Sequence, residues 1–134
     1  MLFRSYPQIL KLQYLKQDGG SSATGTIESA TAYALCYSCH NRTWLMEPNN
    51  STNTFMYHQV HVQLQHIPCN SCHDPHGISA TQGTATNNAH LINFKASVVR
   101  PAQTGVGPRY EYISPGHGRC HLTCHGQDHS PKTY

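Results

Sequence analysis

Six cysteines and eleven histidines in 134 residues are the groups in this chain best able to do chemistry. The cysteines fall in three pairs, and a histidine follows each pair directly: Cys36-Tyr-Ser-Cys39-His40, Cys69-Asn-Ser-Cys72-His73 and Cys120-His-Leu-Thr-Cys124-His125. Two thiols separated by two residues can add across the two vinyl groups on one edge of a porphyrin. The adjoining histidine then reaches under the ring to bind the iron. The first two pairs have this spacing. The third has one more residue between its thiols and bridges both vinyls where its loop bulges. Read this way, Cys36, Cys39, Cys69, Cys72, Cys120 and Cys124 make thioethers, His40, His73 and His125 are proximal iron ligands, and the cofactor is three covalent haem c groups.

Three other chemistries also use paired cysteines. A zinc ribbon accounts for two C-x-x-C pairs, but the gap between the first two pairs is longer than ribbon spacing, and zinc does not require a histidine after every pair. Disulfides suit an even cysteine count in a short secreted chain. Thioredoxin-like redox chemistry needs only one pair. Histidine is about 8% of the chain, so its chance appearance after all three pairs is below about one in a thousand. Haem attachment accounts for all three histidines.

Three irons with one proximal imidazole each need three more axial ligands. Eight histidines remain, against methionines only at positions 1, 46 and 56, which favours bis-histidine coordination. The distal candidates are His58, His61, His76 and His90, with His129 a weaker one. On a helix His58 and His61 share a face with Cβ atoms about 5–6 Å apart. They cannot sit trans on one iron, but they can serve two stacked haems. The bland alternative is that one ligates and the other bonds a propionate. His76 lies three residues after His73 across Pro75 and is expected to serve a neighbouring haem. His66, His117 and His121 read as exposed or propionate-facing. A six-coordinate iron leaves no position for substrate, so the expectation is electron transfer and not enzymatic catalysis.

The elements that must position these groups are short. Hydrophobic residues make up 37% of the chain, a fraction that includes its eight tyrosines and six cysteines, so the polypeptide alone builds a thin core. Three buried haems remedy this, at about 25 cal/mol per Å² of apolar surface removed from water. Residues 27–40 space Ala30, Tyr33, Ala34 and Tyr37 as a short helix entering the first motif. Residues 55–64 suit helix or strand. Proline and glycine crowd residues 74–88 and 101–118, which read as loop. The expected fold class is therefore a mostly irregular chain, with a few short helices wrapped around three covalently bound haems and little or no sheet. It is read as one trihaem domain over residues 1–134: an N-terminal arm and loop at 1–26 and a haem-binding region at 27–134.

Charged residues are 11% of the chain and the formal net charge is +3. The basic residues do not cluster, so no nucleic-acid partner is expected. No run of 18 apolar residues is present, so no membrane span is expected. The N-terminus lacks the apolar core of a leader, which implies removal of a leader or a longer precursor. Ser, Thr, Asn and Gln are about 30% of the residues, a surface suited to an exported protein. Asn41, Asn49 and Asn50 begin glycosylation acceptor patterns. With three ferric haems the oxidised holoprotein is close to neutral, which tolerates self-association. Trp44 and the tyrosines are expected to pack on haem faces.

The segments ALCYSCHNR, HVQLQHIPCNSCHDPHGIS, TNNAHLINF, SVVRP and CHLTCHGQDHSP resemble the C-terminal region of a family of bacterial and archaeal multihaem c-type cytochromes. The resemblance covers residues 28–134, with LFRSYP at 2–7 as well. The C-x-x-x-C-H spacing recurs in that family. The resemblance implies export to the periplasm or cell exterior, and a common pattern that includes His58, His61, His76 and His90. Some similar small cytochromes polymerise into extracellular filaments in which a histidine of one subunit ligates a haem of the next. The resulting expectation is an extracellular electron-transfer protein that self-associates end to end into a homopolymer and exchanges electrons with other redox proteins or extracellular acceptors. The alternatives are a soluble periplasmic shuttle and, more weakly, a haem reductase of small oxyanions.

Overall fold

Gly116 and Gly126 take positive φ angles of 77° and 80°, a region open to glycine at little cost. Each sits in a two-residue turn between strands. The structure is a computed structural model that describes residues 27–48, 55–74, 76–79, 83–84 and 88–134. The expected N-terminal arm at 1–26, two acceptor asparagines (Asn49 and Asn50) and Pro75 lie outside the described residues.

Four strands follow from the C-terminal turns: β1 (Val99–Arg100), β2 (Arg109–Ser114), β3 (His117–Cys124) and β4 (Gln127–Thr133). All pairings are antiparallel, and β3 is central. Along one edge, β2 pairs the first half of β3 (Tyr110 opposite Cys120), and β1 pairs its end (Val99 opposite Cys124). Along the other edge, β4 pairs β3 from Arg119–Thr133 to Cys124–Gln127.

This sheet overturns the expectation of little or no sheet. Pro115 and Gly116 are the central pair of a tight turn that closes the β2–β3 hairpin, not the sign of an irregular loop. His125 and Gly126, with φ of 38° and 80°, make the two-residue turn between β3 and β4. Positive φ at both central residues matches the twist of the flanking strands. Pro131 is tolerated because β4 is an edge strand, where a missing N–H costs no ladder bond. Gly118 belongs inside β3 for a packing reason. A Cβ there would lie 2.4 Å from Tyr110 Cε2 and 2.8 Å from the Glu111 carbonyl oxygen. Gly118→Ala is therefore expected to destabilise the chain by about 1–3 kcal/mol, read as a lower urea midpoint with an unchanged slope. An unaltered midpoint would show that Tyr110 does not lie across β3.

Ahead of the sheet the elements are short. α1 (Ala34–Tyr37) runs into the first cysteine motif, and α2 (Arg42–Leu45) follows it. The Asn41 side chain caps α2 by accepting from the Trp44 backbone N–H at 3.0 Å. Residues Gln59–Leu64 form a π-helical segment, and Cys69–Ser71 form one 3₁₀ turn. Two small apolar clusters result among the described residues. Ala32, Tyr33, Met46 and Val62 are joined by Cys36, Tyr37, Leu45 and Cys69. Val99, Leu122 and Cys124 are joined by Phe94, Val98 and Cys120. Motif cysteines edge both clusters, so the thin core expected from composition sits where the thiols are.

One buried carboxylate ties the first half together, and its role was not read from the sequence. The Glu28 side chain is 2% exposed. Arg42 Nε and Nη2 donate to its two oxygens, each at 2.7 Å, while Tyr37 Oη donates at 2.8 Å and Gln63 Nε2 at 2.9 Å. Through these bonds Glu28 connects the first motif, α2 and the π-helical segment.

Candidate functional site

The first two motifs are built as single helical turns. The His40 N–H donates to the Cys36 carbonyl at 3.0 Å, and the His73 N–H donates to the Cys69 carbonyl at 2.9 Å. One turn brings the two thiols and the following histidine of each motif close together, as attachment to one porphyrin edge requires. The third motif is different. Cys120 and Cys124 lie on β3, four residues apart and on the same face as Leu122. At strand rise their Cα atoms are about 13 Å apart. The bulge expected between them is not there, because the extra residue at the register shift between Cys120 and Leu122 belongs to β4. The first two motifs thus fit a covalent haem as they stand. The third presents both thiols to one porphyrin edge only if β3 shortens between them.

Among the described residues all six cysteines are free thiols. Cys36 and Cys69 pack on the same apolar cluster, and each thiol shifts the other: Cys36 is lowered to about 7, while Cys69 is raised by Cys36 and then by burial. Cys72 is pushed up to about 12 by burial, then by Cys120 and Cys124 nearby. Cys120 lies 3.4 Å from the Tyr134 hydroxyl. No group of three or more His, Cys, Asp or Glu among the described residues converges to hold a bare metal ion.

The histidines gather in two neighbourhoods. His58 has its ring 6.3 Å from that of His73, with 31° between the planes, and both feel the charge of His40. Across the same short segment His61 is near enough to feel the charge of His125, and His129 feels both. Phe55 touches both imidazoles, 5.2 Å from His58 and 5.3 Å from His61, and meets Tyr134 edge to face at 4.5 Å. Two ring orientations are set by backbone carbonyls. His73 Nδ1 donates to the His90 carbonyl and His61 Nδ1 to the Tyr57 carbonyl, each at 2.9 Å. A carbonyl can only accept, so both rings carry their proton on Nδ1 and leave Nε2 as a bare lone pair. Proximal and distal iron ligands are oriented by the same kind of bond.

Of the other distal candidates, His76 is not brought into these groups, whereas His90 lends its carbonyl and its charge to His73. His76 is 92% exposed at its side chain and touches Asp74 at 3.3 Å. His90 is exposed with φ of 61°, its ring 5.5 Å from Tyr112. His40 is exposed at the end of the first motif, and His125 is exposed in the β3–β4 turn. His121 lies on the outer face of the sheet, 3.3 Å from Glu111, which also binds Arg109. His117 is exposed at the start of β3.

His58 is lowered to about 4, first by burial and then by neighbouring imidazoles. His61 and His73 are also lowered, chiefly by burial. In the haem-free chain these rings stay neutral while the unfolded chain takes up protons. Their contribution to stability is fully present above the ordinary histidine value of 6.5 and is lost as pH falls towards 4. The thermal midpoint of the haem-free chain is therefore expected to fall steadily between these limits, and less so in His58→Gln. Equal slopes in the two chains would contradict the burial of His58.

Comparisons with protein families, curated proteins and solved structures find no match for this chain.

Proposed function

We propose that this chain is an exported electron-transfer protein that carries covalent haem c and assembles with copies of itself into an extracellular filament. The observation that carries this reading is the His58–His73 pair. Two imidazoles that would hold one iron, each with its nitrogen at about 2.0–2.1 Å and its ring centre about 1.1 Å further out, would have centres roughly 6.3 Å apart. The two rings are 6.3 Å apart. His73 presents Nε2 because its Nδ1 is occupied, and His58 sits where burial keeps it neutral and able to bind. His61 with His125 or His129 is the corresponding set for the third motif, so His58 and His61 serve two different irons.

When bound, each haem supplies one-electron exchange between ferric and ferrous states. The chain contributes the rest. Cys36, Cys39, Cys69 and Cys72 hold two rings as thioethers, with Cys120 and Cys124 for the third. His58 and His73 would hold one iron and His61 with His125 or His129 another, and at those two no position would be left open to substrate. The apolar clusters at the cysteines offer surface for the ring faces. Self-association is supported by exposed Ile27, Trp44, Leu64, Leu91 and Ile113, and by the exposed imidazoles of His76 and His90. Among the described residues no helix is long and apolar enough to cross a membrane.

The test is intact mass and haem staining of the native protein, with electron microscopy of the same fraction. Three added haem masses and haem-positive filaments are expected. Discrete particles with bound haem would move the reading to a shuttle, and a chain without covalent haem would end it.

A further inference from the structure

Residues 90–95 run antiparallel beside the second motif, with Ile92 bridged to His73. On one side of that bridge the Asp74 N–H donates to the Leu91 carbonyl at 2.9 Å. On the other the Asn93 N–H donates to the Cys72 carbonyl at 2.9 Å and the Lys95 N–H to the Ser71 carbonyl at 3.0 Å. The Asn93 side chain adds a bond of 3.0 Å from Nδ2 to Asp74 Oδ2. Asn93 therefore grips the residues on both sides of His73. The segment is held against a backbone cost. His90 and Leu91 take φ angles of 61° and 60°, a region that residues with a Cβ enter only under constraint. Leu91 is 50% exposed, so burial of its side chain does not offset that cost. The conformation has a result at the motif. In an extended chain successive carbonyls point to opposite sides. Here two in a row are turned to the motif: that of Leu91 takes the Asp74 N–H, and that of His90 accepts from His73 Nδ1 at 2.9 Å.

We propose that Asn93 is a positioning residue for the second haem site. It clamps residues 90–95 on the motif and so keeps the His90 carbonyl on the His73 ring. The consequence for the iron rests on the haem reading above. An Nδ1–H that donates to a carbonyl makes the opposite ring nitrogen a stronger electron donor to a metal. That favours the ferric state and lowers the affinity of this one haem for an electron. The C-x-x-C-H spacing does not supply this bond, because the carbonyl comes from 17 residues further along the chain. The electron affinity of the second site is thus set by a segment outside its motif.

The test uses the full chain in two arms. In the haem-free chain, long-range proton–nitrogen correlation spectra read which His73 nitrogen carries the proton. In the loaded protein, absorption spectra at controlled potential read the ferric-to-ferrous equilibrium of the haems. Asn93→Ala leaves the net charge unchanged. It is expected to lower the Nδ1–H share of His73 by about threefold or more, and to raise the reduction equilibrium constant of one haem by a similar factor. Exchanging the two side chains, Asp74→Asn together with Asn93→Asp, again sets a donor against an acceptor and should return both readings to wild type. A merely structural role would lower stability in Asn93→Ala and leave both readings in place. Asp74→Ala, read by the tautomer alone, breaks the same bond from the other side and decides the matter if Asn93→Ala does not fold. A His73 proton that stays on Nδ1 in these variants, or an exchange that restores neither reading, would overturn the proposal. Covalent haem missing by intact mass would end the haem reading, and the tautomer arm alone would then decide the role of Asn93.

Discussion

Replacing His58 with alanine is expected to convert one ferric centre of the loaded protein from low spin to high spin and to leave the other centres unchanged. The His58 ring stands 6.3 Å from that of His73, a separation at which the two imidazoles would hold one iron between them. The thioether cysteines are untouched, so the covalent haem content should stay the same while the spin state changes. His61→Ala should act on a different centre, because His61 feels the charge of His125 at the third motif and is felt by His129. The double variant should therefore lose two low-spin centres, and added imidazole should restore both. Electron paramagnetic resonance separates the cases. An unchanged low-spin spectrum in both single variants would remove His58 and His61 from the ligand set. Loss of only one centre in the double variant would show that they compete for the same iron.

The second large effect is on stability. Glu28→Ala is expected to cost about 3 kcal/mol or more, because four hydrogen bonds converge on a carboxylate that water does not reach. For a chain of this size that corresponds to a fall of roughly 10 °C in thermal midpoint. Burial raises the Glu28 pKa, but the bonds from Arg42, Gln63 and Tyr37 together outweigh it and hold the carboxyl below its ordinary value of 4.5. A depressed carboxyl contributes stability that is fully present above that ordinary value and is lost as pH falls through the folded one. The gap between wild type and Glu28→Gln should therefore be widest near neutrality and narrow below pH 4.5. A gap independent of pH would mean that the Glu28 charge contributes nothing. The variant should also disturb the first motif, because Tyr37 lies between Cys36 and Cys39 and its hydroxyl is anchored on Glu28. Far-ultraviolet circular dichroism during urea unfolding would read the stability, and haem stoichiometry would read the motif.

How legible each part was depends on the reach of the interaction that shapes it. The C-x-x-C-H turns at Cys36–His40 and Cys69–His73 were legible because their closing hydrogen bonds span four residues. The helix entering the first motif was legible from the spacing of Ala30, Tyr33, Ala34 and Tyr37, of which Ala34 and Tyr37 are its first and last residues. The sheet was missed. Pro115, Gly116 and Gly118 carry the same local signal whether they lie in a loop or in a hairpin. What distinguishes the hairpin is Tyr110 lying across Gly118, a contact between positions eight apart. Alternation along Cys120, Leu122 and Cys124 was present in the sequence but was hidden by reading those residues as a haem motif alone.

The sequence by itself determined the stock of reactive groups: six thiols and a surplus of imidazoles, with a histidine after each cysteine pair, a pattern that depends only on residue type and on spacing over a few positions. The tertiary structure decided which groups meet. His58 approaches His73, His61 comes within reach of the His125 charge, Glu28 collects Tyr37, Arg42 and Gln63, Cys36 and Cys69 join one apolar cluster, and Cys120 and Cys124 are drawn apart along β3. These partners lie up to 64 residues apart in the chain. Chain spacing sets only the cost of closing such a loop. Which loops close is decided by the burial and hydrogen bonding that their ends gain together.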